Sequence, residues 1–593
     1  MGLEGAFPAG SAARAAPAPA DSPAALDRSV STARAWAARH AEALTATAVV
    51  LVALMHLLRV YNRGFNLLDE GFVLHVAERV LQGQVPYRDF FTQLTPGAFL
   101  ALAAVFAVTG PSALVGRWIT VLLGLLITFL LFHFARRLVS RPVAAFAALA
   151  FPVWGIAQGW FYPNYSWFAL AAATGALGAA LRACARAEHD EDQSAPLAWR
   201  RLGWASAAGL GCGLAAFCKQ NIGLYTLVAL VCAILVAGPG GWRRRALAAA
   251  GMTAASLPVP LALLAWLWAQ GALASFYRDA VWIPLAVFPR EMAAPYPAFW
   301  PPWPVPADPP GQGAWAFRLV CLLPPLPFGG GALWLLGSAL RTARRRGAPA
   351  GDPARRGAFA CWLAFGLAIW ATAFPRADFD HVQVSLGPIF ILGAAILEEL
   401  GRFLVRRRVW RLWAIYRLLS TIDGAWCRRW LPQVLACSVL CGFLVTGLGN
   451  ARALRMGSAW SLRTLDAVAP RASGILLDHE EAAELIRLLA QVQRLSKPGD
   501  AIASLPWNAG LYFLAERRNA TRFDLYLPAS ILPDDLPEIE TSLDRATLVV
   551  YWTARDAFID NSSLDDRLPE LHQYVMSRYR AVAAVNAYRL LVP

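Results

Sequence analysis

Asp69 and Glu70 stand in the run Leu68-Asp69-Glu70-Gly71-Phe72, just after the first long apolar segment of the chain. Ionisable side chains at such a depth are costly unless they are paired, hydrated or used, so the pair marks a candidate functional site. A carboxylate there can take up a proton as a general base. It can also do no more than cap a helix, with Asp69 at the N-cap and Glu70 favouring the helix dipole. Cations stand at comparable places. Lys219 occupies a short turn between two apolar runs, where it either snorkels or holds an anion. Arg376, Asp378 and His381 surround the end of another run, as a brace or as ligands. Arg88 and Asp89 follow the first pair closely, and their spacing leaves open a local ion pair or a substrate contact.

The elements that must position these residues are membrane elements. With 57% hydrophobic residues, 24 Trp, 30 Phe and only 16% charged residues, the chain cannot be an ordinary soluble domain. About eleven apolar runs are long enough to cross a ~30 Å hydrocarbon core. They lie near 41–60, 113–135, 142–160, 165–183, 202–218, 222–239, 247–269, 316–339, 358–374, 382–399 and 432–449. The expected fold is thus a polytopic α-helical membrane protein with a small C-terminal extracytoplasmic α/β domain. Its divisions are a disordered cytoplasmic tail at 1–40, a transmembrane domain at 41–450 with a first outer loop at 61–112, and a soluble domain at 451–593.

The net charge of +15 does not imply nucleic acid, because the basic residues cluster between particular spans. Arg28, Arg34 and Arg39 precede the first span, and Arg136, Arg137 and Arg141 follow the second, so both flanks should be cytoplasmic. Crossing at every span then puts the Asp69-Glu70 loop, the Pro- and Trp-rich stretch 271–315, the segment 374–381 and the C-terminal region on one outer face. The run after Arg39 reads as an uncleaved anchor. Nine cysteines fall only in spans and cytoplasmic loops, which argues against a disulfide framework or a zinc knuckle.

Within the outer loop, Phe72, Val73, Val76, Val80 and Leu81 repeat at helical spacing, with His75, Glu78, Arg79 and Gln82 on the opposite stripe. Such a helix should lie in the membrane interface, apolar stripe towards lipid or bundle. Beyond residue 450, Asp478 and Glu481 resemble a capping box, followed by a helix to Leu495 and strand-like runs at 501–505, 546–551 and 581–591. Asn164-Tyr165-Ser166, Asn519-Ala520-Thr521 and Asn561-Ser562-Ser563 are formal glycosylation sequons.

The run from Asp69-Glu70-Gly71-Phe72 through Leu81-Gln82-Gly83-Gln84-Val85-Pro86-Tyr87-Arg88-Asp89-Phe90-Phe91-Thr92-Gln93 to Thr95-Pro96-Gly97 resembles the membrane glycosyltransferases of the C type. These include protein O-mannosyltransferases, aminoarabinose transferases of lipid A and a bacterial envelope branch. The resemblance continues through Gly110, Arg117, Asn164-Tyr165-Ser166, Phe217-Cys218-Lys219-Gln220-Asn221 and Arg376-Ala377-Asp378-Phe379-Asp380-His381, covering about residues 50–400. It implies an inverting enzyme that moves a sugar from a polyprenyl-phosphate donor to an envelope glycan, lipid or protein. Asp69 would be the general base, with Glu70 beside it raising one of the two pKa values. Arg88, Lys219, Arg376 and Arg117 would supply cations for the leaving phosphate, and Asp89, Gln93, Asp378 and His381 an acceptor or supporting shell. Some relatives carry a divalent ion near that phosphate, yet no paired His stands at metal spacing here, and His75 and His381 read as ordinary polar partners. Composition suggests a bacterial inner membrane. The competing readings are a transporter or flippase for a lipid-linked glycan, which should carry charges in mid-span, and a non-catalytic binder of such glycans.

Overall fold

A computed structural model of the chain describes residues 23–158, 161–185, 195–294, 296, 319–344, 353–406, 424–450, 462–555 and 562–593. It divides into two units, Met1–Ala48 and Val49–Pro593, and the relationships below belong to the second. In the first, α1 (Pro23–Leu58) begins inside the stretch expected to be a disordered tail. Its Ala- and Arg-rich sequence favours a helix. Residues 1–22, residues 295 and 297–315 of the Pro- and Trp-rich stretch, and Asn561 lie outside the described residues.

Among the described residues, seven helices are long and apolar enough to cross a membrane. The four other expected spans also fall on helices: α5 (Arg141–Phe151) with its π-helical extension Pro152–Ile156, α6 (Tyr165–Ala183), α7 (Ala195–Cys218) and the helix Pro353–Ala371. Pro152 opens the π-helical turn, where its missing N–H breaks the regular ladder.

Between the first two spans the outer loop folds into α2 (Asp69–Leu81) and α3 (Gly97–Thr109). The left-handed backbone of Gly83, with φ +86°, ends the α2 region. The uniformly apolar α3, not anticipated as a separate helix, buries Phe99, Leu102 and Phe106 and leaves Val108 exposed. It precedes α4 (Ala113–Ala135), the second membrane-length helix.

The C-terminal residues form a five-stranded sheet in the order β2-β1-β3-β5-β4. Strands β1 (Ala501–Leu505), β2 (Arg518–Asn519) and β3 (Leu548–Trp552) are parallel, whereas β5 (Tyr588–Val592) runs antiparallel to both β3 and β4 (Arg580–Val585). The stretch 581–591, read as one strand, is a hairpin turning at Asn586, whose φ is +48°. The helix His479–Leu495 forms, but Asp478 makes no side-chain cap. The core of this sheet is shared with the outer loop. Phe91 and Ile283 pack among Leu505, Phe523, Tyr526 and Leu591, and the Phe91 amide donates to the Arg522 carbonyl at 2.9 Å.

This shared packing decides what the two stripes of α2 touch. The apolar residues Val73, Leu74, Val76 and Ala77 face the bundle, and the polar stripe is buried as well. His75 stacks on Tyr512 with ring centroids 4.9 Å apart, Glu78 accepts from Arg471 at 2.7 Å, and Arg79 reaches Asp524 at 3.0 Å. The polar stripe is therefore a docking face for the C-terminal sheet rather than a solvated one.

Candidate active site

Asp69 does not cap α2. The side-chain Oδ1 of Asn66 accepts from the backbone N–H groups of Leu68 and Asp69, both at 2.9 Å, while the N–H groups of Gly71 and Phe72, which a cap at Asp69 would take, go to the carbonyls of Asn66 and Leu68 at 2.9 Å. The Asp69 carboxylate is left with a long 3.4 Å contact from the Asn66 amide. It is closely surrounded yet still partly open to solvent, as in a cleft. Burial pushes its pKa up to about 6, against the opposing charge of His381, the Asn66 amide and Arg376.

Glu70 points elsewhere. It is fully buried and forms a bidentate pair with Arg117, at 2.5 Å from Nε and 2.6 Å from Nη2. The Arg117 guanidinium also donates to the carbonyls of Tyr61, Arg63 and Gly64, so it ties the chain entering the loop to the start of α2. The pair expected to serve as base-with-neighbour and phosphate cation is thus a brace. Burial, not the charge of Glu70, raises Asp69.

Three expected residues do meet at Asp69. Arg376, Asp378 and His381 are its electrostatic neighbours, although they lie over three hundred positions away. Asp378 caps the short helix Phe379–Val382, taking the His381 N–H at 3.0 Å. It also accepts from Arg376 Nε at 2.7 Å and contacts His381 Nδ1 at 2.5 Å. Burial would raise its pKa, but His381 and Arg376 outweigh that and hold it at about 2. Asp378 is accordingly a fixed anion that holds the Arg376 and His381 side chains in the neighbourhood of Asp69.

On the other side stands the start of α6. Asn164 is wholly buried and its side chain caps this helix, accepting from Ser166 N–H at 2.7 Å. That use removes it as a glycosylation site. The cap presents Tyr165, which feels the charge of Asp69, and Ser166, whose Oγ lies 3.1 Å from Lys219 Nζ. Lys219 is buried, with its ammonium 5.2 Å from the Tyr165 ring centroid. Burial lowers its pKa to about 8. Among the described residues it forms no ion pair. A buried ammonium held only by a hydroxyl and a ring can receive an anion. Tyr162, a further neighbour of Asp69, has its phenol pushed up by burial and then by that charge.

The remaining expected residues gather elsewhere. Exposed Arg88 and half-buried Asp89 pair with each other at 2.8 and 2.9 Å. The Asp89 carbonyl is held by Arg79, which lies about 15 Å along α2 from Asp69. Gln93 bridges to the Ala529 carbonyl at 3.1 Å, and its own carbonyl is taken by Gln220 at 2.7 Å. These residues hold the loop against the sheet. Among the described residues no three His, Cys, Asp or Glu converge as a metal site, and the oxygens of Asp378 are already engaged by Arg376 and His381. This donor set does not fit a metal ion.

Sequence reasoning missed Asn66, Tyr162 and the capping role of Asn164. Only the local Asn-x-x-Asp and Asn-Tyr-Ser spacings signal them.

With this geometry, the chain has the fold of the C-type membrane glycosyltransferases. The solved structure of ArnT from Cupriavidus metallidurans in the apo state superposes with a TM-score of 0.52 at 14% identity, over 93% of this chain and 98% of that one. ArnT of the same organism bound to undecaprenyl phosphate gives 0.49 at 15%, with the same coverage. The apo oligosaccharyltransferase of Archaeoglobus fulgidus gives 0.44 at 13%, over 86% and 69%. No family profile and no curated protein sequence matches the chain.

Proposed function

We propose that the protein transfers a sugar from a polyprenyl-phosphate donor to a cell-envelope acceptor at the outer face of a bacterial inner membrane. The observation that carries this reading is the Asp69 carboxylate, relieved of capping by Asn66 and set in a cleft beside the Arg376-Asp378-His381 cluster and Tyr165, the residue whose ring also meets buried Lys219. In this reading Asp69 takes the proton of an acceptor hydroxyl, whose oxygen forms a bond to the anomeric carbon as the bond from that carbon to the phosphate oxygen breaks. The leaving group departs as polyprenyl phosphate, an anion for which Lys219 and Arg376 are suited. A single displacement inverts the anomeric centre. The fold shared with ArnT and the ordered motifs from Asp69 to His381 support the reaction class. The clustering of basic residues between spans supports the sidedness, with the N-terminus cytoplasmic.

The test is release of polyprenyl phosphate from a panel of polyprenyl-phosphate sugars by protein in lipid nanodiscs, with a membrane extract supplying acceptors. Release by wild type and not by Asp69→Asn is expected. Release by neither protein across the panel would overturn the reading in favour of transport or binding of lipid-linked glycans.

A further inference from the structure

Segment 273–294 joins backbone on two sides of the site. It runs as the helix Leu273–Phe276, the π-helix Tyr277–Val287 and the short helix Phe288–Glu291. Pro284 lies inside the π-helix, where its missing N–H interrupts the regular ladder. Near one end, the Ala280 carbonyl accepts from Gln220 Nε2 at 3.2 Å. Gln220 opens α8 (Gln220–Ala237) directly after Lys219, and the same amide holds the Gln93 carbonyl. At the other end, Ala294 donates its N–H to the Pro375 carbonyl at 3.0 Å and accepts from the Ala377 N–H at 3.1 Å, gripping the residues on both sides of Arg376. One segment is thus bonded beside Lys219 and beside Arg376.

Charge fastens this segment to the C-terminal domain. Asp279 is fully buried; its Oδ2 accepts from Arg522 Nη2 at 2.8 Å, and Arg278 Nη1 lies 3.8 Å from its Oδ1. The same Arg522 nitrogen donates to the Tyr87 carbonyl of the outer loop at 3.0 Å. Arg278 also reaches both oxygens of Asp535, at 2.5 and 2.6 Å. Ile283, further along the π-helix, packs in the core of the C-terminal sheet. A buried ion pair adds little net stability over apolar packing, but breaking it strands a charge, so it favours one arrangement of the segment.

On the reading of Lys219 and Arg376 as ligands of a lipid phosphate, we propose that segment 273–294 is a strap that sets their spacing, with Asp279 and Arg522 as the positioning residues that hold it in register. Loss of the pair frees the segment to shift at both ends. A phosphate ligand displaced by about 1 Å loses much of its hold.

Affinities of the purified full chain in detergent for undecaprenyl phosphate and for undecaprenol, which lacks the phosphate, test this. Wild type should prefer the phosphate. Asp279→Asn should weaken undecaprenyl phosphate about tenfold and leave undecaprenol unchanged. Arg278→Gln, at a half-buried position where the fold is under less threat, should act in the same direction. Partial unfolding would weaken both lipids together. Equal loss of the two lipids, or an unchanged phosphate preference in both variants, would therefore overturn the strap, as would equal affinity of wild type for the two lipids. Donor turnover tells this apart from the reaction itself. Loss of the preference in the variants, with no release by wild type across the donor panel, would sustain the strap and overturn the transferase; release by wild type with the preference unchanged in the variants would do the reverse.

Discussion

A Cβ placed on Gly71 of α2 would stand 2.3 Å from the Gly510 Cα, so these two residues face each other with no room for a side chain. Gly510 also donates its N–H to the Leu67 carbonyl at 2.8 Å, which fastens the C-terminal sheet to the residues just before Asp69. The opposing atoms are backbone and cannot rotate away.

Gly71→Ala should therefore push α2 off the sheet and shift Asp69 two residues upstream. Overpacking of this kind costs about 1–3 kcal/mol. Small displacements of a base cost up to about a hundredfold in rate. Melting temperature and donor turnover should both fall. Gly175→Ala, where a Cβ meets nothing within 4 Å, serves as the neutral control.

Glu70→Gln should be far more damaging to stability than an exposed charge change. It strands the buried Arg117 guanidinium, a loss of about 3–5 kcal/mol. Glu70→Gln/Arg117→Met should recover part of the melting temperature. A single variant that melts like wild type yet has no turnover would refute the brace and give Glu70 a chemical role.

Turnover should follow a bell in pH. Asp69 must be ionised, so the acid limb falls near 6, and Lys219 must be protonated, so the alkaline limb falls near 8. Lys219→Arg should move the alkaline limb beyond the measurable range while keeping a cation in place. A kcat/KM profile on purified donor checks both limbs.

Asp69→Asn should make the protein inactive and more stable at once. The folded carboxyl, at about 6, binds its proton more tightly than the unfolded one at 3.8. The native state of the wild type thus loses stability as pH rises from about 4 to 6, and the loss persists above that range. Asn removes the buried charge, a gain at pH 8 of about 1–3 kcal/mol, since the group is partly open. Thermal melts at pH 4 and pH 8 should show the variant's advantage only at the higher value.

The membrane-length helices, α2 and the grouping of Arg376, Asp378 and His381 were legible because apolar runs and a motif order are properties of the sequence itself. Strand β1 and the helix to Leu495 were legible from periodicity. The partner of Glu70 was not, because Arg117 lies 47 residues away across a loop whose path only the fold determines. The partners of the polar stripe of α2 were hidden for a related reason: those of Glu78 and Arg79 lie at Arg471 and Asp524, some four hundred residues away. The hairpin at 580–592 was hidden because Asn586 and Ala587 form too short a break in a β-like run.

The bond from Arg79 to Asp524 spans 445 residues, and it fixes when the helix that carries Asp69 can settle. At about 5–20 residues per second of synthesis, α2 waits roughly 20–90 s for its polar face to be covered. Until the last strands are made and folded, Asp69 stands on a helix with half its packing absent. A chain cut short by a ribosome or a protease would reach the membrane with every span in place and no working site.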